Sequence, residues 1–364
     1  MKIGKRAAVT ACLVGWMPLW AHAGGQLNIY NWGEYFAPDT IANFEKESGI
    51  KVRLDVYDSN EVLQTKMLAG SSGYDLVFPS NDFLARQIES GVYRKLDKQK
   101  LPNLKNLDAA FRPKVEAVDP GMQHSVPYMW GTTAIGYNVD KVKQALGGQL
   151  PVNTYDLLFK PEVVAKLQKC GIAYNDAGSV MFPMALRYIG RDPNTTNPKD
   201  YEDAAAVLKK VRPYIRRMIA TPVMNELSSG EVCVSTGYSG AVLVAKLRAR
   251  ENKTGHNIAY TLPETGAPLW FDSMAIPKDA KNVENAHKFI NYILRPDVVA
   301  RISNTVMYPS PNAQAVKLMS KDLTADPMIF PDAKRMQTFW VQKPFDSATL
   351  RLQTRLWQRF KTAK

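Results

Sequence analysis

Between residues 27 and 90 short apolar runs alternate with stretches of helical spacing, and this alternation constrains the fold more than any other feature. A mostly apolar run from Leu27 ends at Tyr35, and Pro38-Asp39-Thr40 opens a helix over Ile41–Glu47 that Ser48-Gly49 stops. Lys51–Tyr57 alternates apolar and polar residues as a strand should, and Asp58-Ser59-Asn60 then caps a helix over Glu61–Leu68. Asp75–Phe78 is a third strand, and Pro79-Ser80-Asn81-Asp82 opens a third helix that runs to about Ser90. Strands separated by helices of this length can lie side by side only in parallel, joined by right-handed crossovers. The reading is therefore α/β.

The pattern returns downstream. Gly121–Asp140 reads as a first crossing between two lobes, ending in the strand-like Ala134–Asn138. Tyr155–Leu167, Val180–Tyr188 and Ala204–Ile219 read as helices, with a strand at Cys170–Tyr174 between the first two. Glu231–Thr236 reads as a strand leading through Gly237-Tyr238-Ser239-Gly240 into a helix to about Arg250. Trp270–Ile276 looks like a return strand, Ala286–Leu294 a helix, and Met307-Tyr308-Pro309 the entry to a mostly helical end. One hydrophobic core rarely serves 364 residues, so two lobes are expected.

The N-terminus has the order of a cleavable secretory leader. Lys2, Lys5 and Arg6 precede an apolar run from Ala7 to about Trp20, followed by Ala21-His22-Ala23, which puts the mature start at Gly24. Val9-Thr10-Ala11-Cys12 resembles a lipobox, but the apolar run before Cys12 is too short. No later stretch is long and apolar enough to span a bilayer, so export without membrane insertion is expected. Export leaves Cys170 and Cys233, an even pair in an oxidising compartment, read as one disulfide; two separate buried thiols are the alternative. The net charge of +13 falls to +10 without the leader. Its Lys and Arg residues are scattered apart from short clusters at Arg212–Arg217 and Arg351–Lys364, which is the pattern of solvated helix faces and not of a nucleic-acid surface.

A parallel sheet binds ligands at the carboxyl ends of its strands. That rule gathers Trp32, Glu34 and Tyr35 on one rim with Asp58–Asn60 and Ser80–Asp82. Two aromatic rings beside a carboxylate suit an organic cation, because ring faces attract positive charge and the acid pairs with it. Asp58 and Ser80 also have a simpler use as helix caps, and that use is favoured for both. The chain lacks a phosphate-cradling glycine loop, a Gly-x-Ser-x-Gly elbow and His or Cys residues at metal-ligand spacing. No cofactor, no metal and no enzymatic activity are expected.

Five stretches, in this order, carry a family resemblance: Tyr30-Asn31-Trp32-Gly33-Glu34-Tyr35, Asp75-Leu76-Val77-Phe78-Pro79-Ser80, Pro127-Tyr128-Met129-Trp130-Gly131, Trp270 to Pro277, and Leu294 to Val299. Through them the chain resembles the periplasmic solute-binding proteins of polyamine (spermidine and putrescine) ABC importers. The resemblance implies two α/β lobes, each a mostly parallel sheet flanked by helices, closing on ligand across hinge crossings and docking on a permease. It places the lobes at 24–134 with about 262–309, and at 135–261 with about 310–364, in a protein expected to act as a monomer. Carried over by motif, Trp32, Tyr35, Tyr238, Trp270 and Tyr308 are aromatic walls and Ser80 is a polar rim contact. Asp272 is the principal amine-pairing acid, with Glu34 beside it.

The departures from the family pattern fall at one end of the ligand. Ala241 stands where putrescine-type members carry an acid, and Ser179 or Val180 where they carry a glutamate. Asp82 is an expected substitute if it points inward, with Asp176 as a further candidate. Otherwise the ligand is an amine charged at one end only, or a different amine altogether. Two other readings stay open: an exported hydrolase of an amine-bearing substrate, and a sensor reporting ligand to a membrane receptor.

Overall fold

A computed structural model describes residues 25–219 and 223–363. The expected leader lies outside the described residues. Among the described residues ten strands form one continuous sheet: β1 (Gln26–Trp32), β2 (Lys51–Tyr57), β3 (Leu76–Val77), β4 (Ser125–Asn138), β5 (Ile172–Asn175), β6 (Arg217–Ile219), β7 (Val234–Tyr238), β8 (Ile258–Thr261), β9 (Pro268–Ala275) and β10 (Trp340–Val341). The order along it is β2-β1-β3-β9-β4-β7-β5-β6, with β10 beside β9 and β8 beside β4.

β4 organises the whole. All 14 of its residues are buried, and it belongs to both halves of the sheet. From Ser125 to Thr132 it pairs with β9, and from Thr133 onward it pairs with β7 and β8. Pro127 cannot donate to a ladder, and the register shifts between it and Met129. The sheet is more mixed than the expected parallel arrangement. β1 pairs parallel with β2 and β3, and β5 parallel with β6 and β7, as crossover helices require. The pairs β3–β9, β4–β9, β4–β7 and β4–β8 are antiparallel, because β4 carries the chain into the second half and β9 brings it back.

Local chemistry explains most element ends. Gly49 adopts the left-handed conformation that closes the first helix, Thr40–Ser48, and Ser59 caps the second, Asn60–Leu68. The Asp75 carboxylate accepts from the backbone N–H groups of Asn28, Lys281 and Asn282, fastening β1 to the loop before the helix Val283–Ile293. Two expected helices differ. Pro161 splits Tyr155–Leu167 into Asp156–Phe159 and Pro161–Leu167. The expected helix over Ala204–Ile219 instead runs Pro198–Val211, turns at Arg212–Tyr214 around Pro213, and leaves Arg217–Ile219 free to become β6.

The C-terminal segment divides. Asp108 N–H donates to the Pro311 carbonyl, Ala313 N–H to Asn106, and Asn312 Nδ2 to Leu294, so 310–313 is tied to the first half rather than the second. Only the last helix, Ser347–Thr362, joins the second core, where Trp357 and Phe360 pack with Phe182 and Tyr174. Arg212 donates to the carbonyls of Phe360 and Lys361 at that helix's end, a specific use for part of the basic cluster. Cys170 and Cys233 form a disulfide across the starts of the adjacent strands β5 and β7.

Candidate ligand-binding site

Residues two apart on a strand face the same side, and in β9 this puts Trp270 and Asp272 together while Phe271 goes into the core. Asp272 is 5% exposed. Its two oxygens accept hydrogen bonds from two different loops: Ser80 Oγ donates to Oδ1 at 2.5 Å, and Tyr35 Oη donates to Oδ2 at 2.7 Å. The Ser80 hydroxyl is therefore spent on Asp272 and not on capping its helix, Asn81–Glu89, which corrects the cap reading. Asn81 secures the same junction from its other side, since its Oδ1 accepts from the Phe271 N–H.

Burial pushes the Asp272 carboxyl up to about 7, and the nearby charge of Asp82 acts in the same direction. The hydrogen bonds from Ser80 and Tyr35 pull it back only in part. Asp82, in the first turn of its helix, is itself raised to about 6, chiefly by burial, with a contribution from Glu61. Two acids that burial makes costly to ionise are two acids that gain from an arriving cation.

Aromatic rings surround this carboxylate edge to face. Tyr35 meets Tyr128 at 5.2 Å and Tyr308 at 6.1 Å; Trp270 meets Tyr308 at 5.0 Å and Tyr238 at 5.9 Å. Glycines let the rings in. A Cβ on Gly131, which lies opposite Trp270 in the β4–β9 register, would come within 2.5 Å of the indole. A Cβ on Gly240 would come within 2.6 Å of the Tyr308 ring. The Tyr238 hydroxyl is pushed up to about 12, chiefly by burial, with the charges of Asp82 and Asp272 acting in the same direction.

Seven of the expected residues thus converge: Tyr35, Ser80, Asp82, Tyr238, Trp270, Asp272 and Tyr308. Trp32 flanks them, its indole donating to the Phe78 carbonyl at 2.9 Å and its ring lying 4.6 Å from Tyr57. Two residues are placed elsewhere. Glu34 is exposed on the turn after β1, at φ 54°, and the acid that bears on Asp272 is Asp82. Asp176 is occupied by the last helix, accepting from Trp357 Nε1 at 3.0 Å and from the Lys361 ammonium at 2.7 Å. Tyr128 joins the site without having been singled out. Tyr128 stood in the quoted Pro127–Gly131 stretch, and its hydroxyl donates to the Tyr35 carbonyl at 2.5 Å.

A two-part α/β sheet whose halves share one long strand, with rings and a buried acid gathered near the switch from one half to the other, defines a ligand-binding protein of the two-lobed type. Residues 39–331 match the family model described as bacterial extracellular solute-binding protein, and the chain belongs to that family. Among its relatives, the putrescine-binding periplasmic protein SpuD of Pseudomonas aeruginosa (strain UCBPP-PA14) is 47% identical, over 93% of this chain and 92% of its own. The putrescine-binding periplasmic protein PotF of Escherichia coli (strain K12) is 48% identical, with the same shares. Among solved structures, a putative spermidine/putrescine ABC transporter from Listeria monocytogenes superimposes with a TM-score of 0.80 at 33% identity, over 93% of this chain and 99% of its own. Membership makes this a solute-binding protein and not an enzyme.

Proposed function

We propose that this protein is the periplasmic receptor of an ABC importer and captures a cationic amine, a polyamine or a close relative of one, between its two lobes. One observation carries the reading: the Asp272 carboxylate is buried among aromatic rings and oriented by two hydroxyl donors, yet among the described residues no cationic side chain pairs with it. An ammonium group supplies the missing charge, and Tyr35, Tyr238, Trp270 and Tyr308 enclose the alkyl chain and attract the positive head. Asp82 is the second acid, Ser80 a rim contact, and Trp32 an outer wall. Each methylene withdrawn from water contributes about 0.8 kcal/mol. The relatives named above as putrescine-binding and periplasmic support the ligand class and the compartment.

The chain is exported by its leader, 1–23, acts as a monomer, and hands its ligand to permease subunits after closing. The first lobe comprises 24–134 with 262–309 and the short segment tied to it. The second comprises 135–261 with the last helix. Among the described residues no helix is long and apolar enough to cross a membrane. Calorimetry with putrescine, spermidine, cadaverine and agmatine tests the ligand class. Binding of at least one of them, abolished by Asp272→Ala, is expected; silence from all four would refute the reading.

A further inference from the structure

The last helix, Ser347–Thr362, holds Arg351, Arg355, Arg359 and Lys361 and no acid. The three arginines stand four residues apart, so they form one exposed ridge about 12 Å long. The helix Pro198–Val211 runs beside this one in the same direction. Tyr201 accepts from the Gln353 side chain, and further along Arg212 donates to the carbonyls of Phe360 and Lys361. The two helices therefore end together, and Lys209 and Lys210 in the last turn of Pro198–Val211 add two exposed ammonium groups.

Internal uses account for little of this charge. A cation in a last turn complements the helix dipole, but Arg212 already holds the final carbonyls, and Arg351 and Arg355 stand before the last turn. Asp200 and Asp203 on the neighbouring helix are engaged by Arg191 and Lys199, and Asp346 caps the helix start by accepting from the Thr349 N–H. Among the described residues no acid forms an ion pair with Arg351, Arg355, Arg359, Lys209 or Lys210.

The basic end lies on the side of the molecule where the rings gather. β5 and β7 are parallel, so Asp176 just after β5 and Tyr238 at the end of β7 share one rim. Trp357 and Lys361 both reach Asp176, which puts the end of the last helix at that rim. A receptor that hands its ligand to a permease turns its rim toward the membrane.

Resting on the reading of this protein as an importer's receptor, we infer that Arg351, Arg355, Arg359, Lys209 and Lys210 form an electrostatic docking face for anionic phospholipid headgroups. The contact holds the protein at the membrane surface with its rim facing the permease. Arginine suits this partner because its planar fork pairs with phosphate oxygens, and a cluster of this size is enough to draw a protein to an anionic bilayer. A fluid headgroup layer can rearrange to meet a row of like charges, whereas an acidic protein surface would have to match it position by position.

The test is sedimentation of the full mature chain with two kinds of vesicle, one of phosphatidylcholine and one of equal parts phosphatidylcholine and phosphatidylglycerol. Binding to the mixed vesicles alone is expected, and it should fade as salt is raised. Arg351→Gln with Arg355→Gln and Arg359→Gln, which keeps helix propensity, should weaken that binding at least tenfold and leave amine affinity in calorimetry as in wild type. Lys46→Gln with Lys105→Gln and Lys288→Gln removes the same charge from exposed positions on the first half and should weaken it less than threefold. Equal losses in the two variants would reduce the effect to net charge and overturn the inference. Absence of binding to the mixed vesicles, the result expected if the ridge meets an acidic protein surface instead, overturns it as well. Amine binding by the same preparation would leave the receptor reading standing in either case.

Discussion

Asp272 couples binding to pH. Burial pushes its carboxyl up to about 7 from an ordinary value near 4, so the folded protein holds this proton more tightly than the unfolded chain does. The sign follows: its ionisation costs nothing below about pH 4, and the cost grows as pH rises toward 7, reaching on the order of 4 kcal/mol. Asp272→Asn should therefore raise the stability of the ligand-free protein at pH 8, read by urea denaturation, while weakening amine binding a hundredfold or more. An ammonium ligand pairs with the ionised form, so binding below pH 7 expels a proton. Affinity in the wild type should fall toward tenfold per pH unit below 7, with proton release measurable by calorimetry in buffers of different ionisation enthalpy. The Asn variant should show neither effect.

Among the elements, β4 and the helix after β7 matter because each presents a glycine where a ring must lie flat. Gly131→Ala drives a methyl group into Trp270, and Gly240→Ala drives one into Tyr308 and, at 2.7 Å, into the Met307 carbonyl. Overpacking of this kind typically costs about 1–3 kcal/mol. Both variants should bind amine at least tenfold more weakly than wild type, with a shifted tryptophan emission for Gly131→Ala. The disulfide acts on the second half alone. It closes 63 residues of chain, and in the chain-entropy model its removal costs about 4 kcal/mol. Cys170→Ser with Cys233→Ser should lower the urea midpoint by a corresponding amount while leaving amine affinity within a few-fold, because neither sulfur reaches the site.

At the scale of the molecule, the two halves share one sheet through β4, so relative motion must bend that strand where its partners change. β4 changes partner between Thr132 and Thr133, and β9 begins at Pro268 beside β10. Bending there brings Tyr238, on the second half, toward or away from Asp272 on the first. Small-angle scattering should record a smaller radius of gyration when a saturating amine ligand is added. An unchanged radius would mean that capture proceeds without closure.

The chain's local patterning determined the alternation of strands and helices, the pairing of two cysteines and most of the ring residues. These depend on periodicity, turn chemistry and short motifs that a sequence carries within a few residues. Tertiary structure decided which acids act together. Glu34 sits beside Tyr35 in the chain yet faces solvent, whereas Asp82 and Asp272, 190 positions apart, share one buried field because β3 and β9 are neighbours. Ser80 offers the same hydroxyl to a helix cap or to a carboxylate, and only the arrival of β9 settles the choice. Asp176 likewise has a rim address in sequence, but a helix from the far end of the chain claims it. Charge pairing is a matter of distance in space, and folding alone sets that distance.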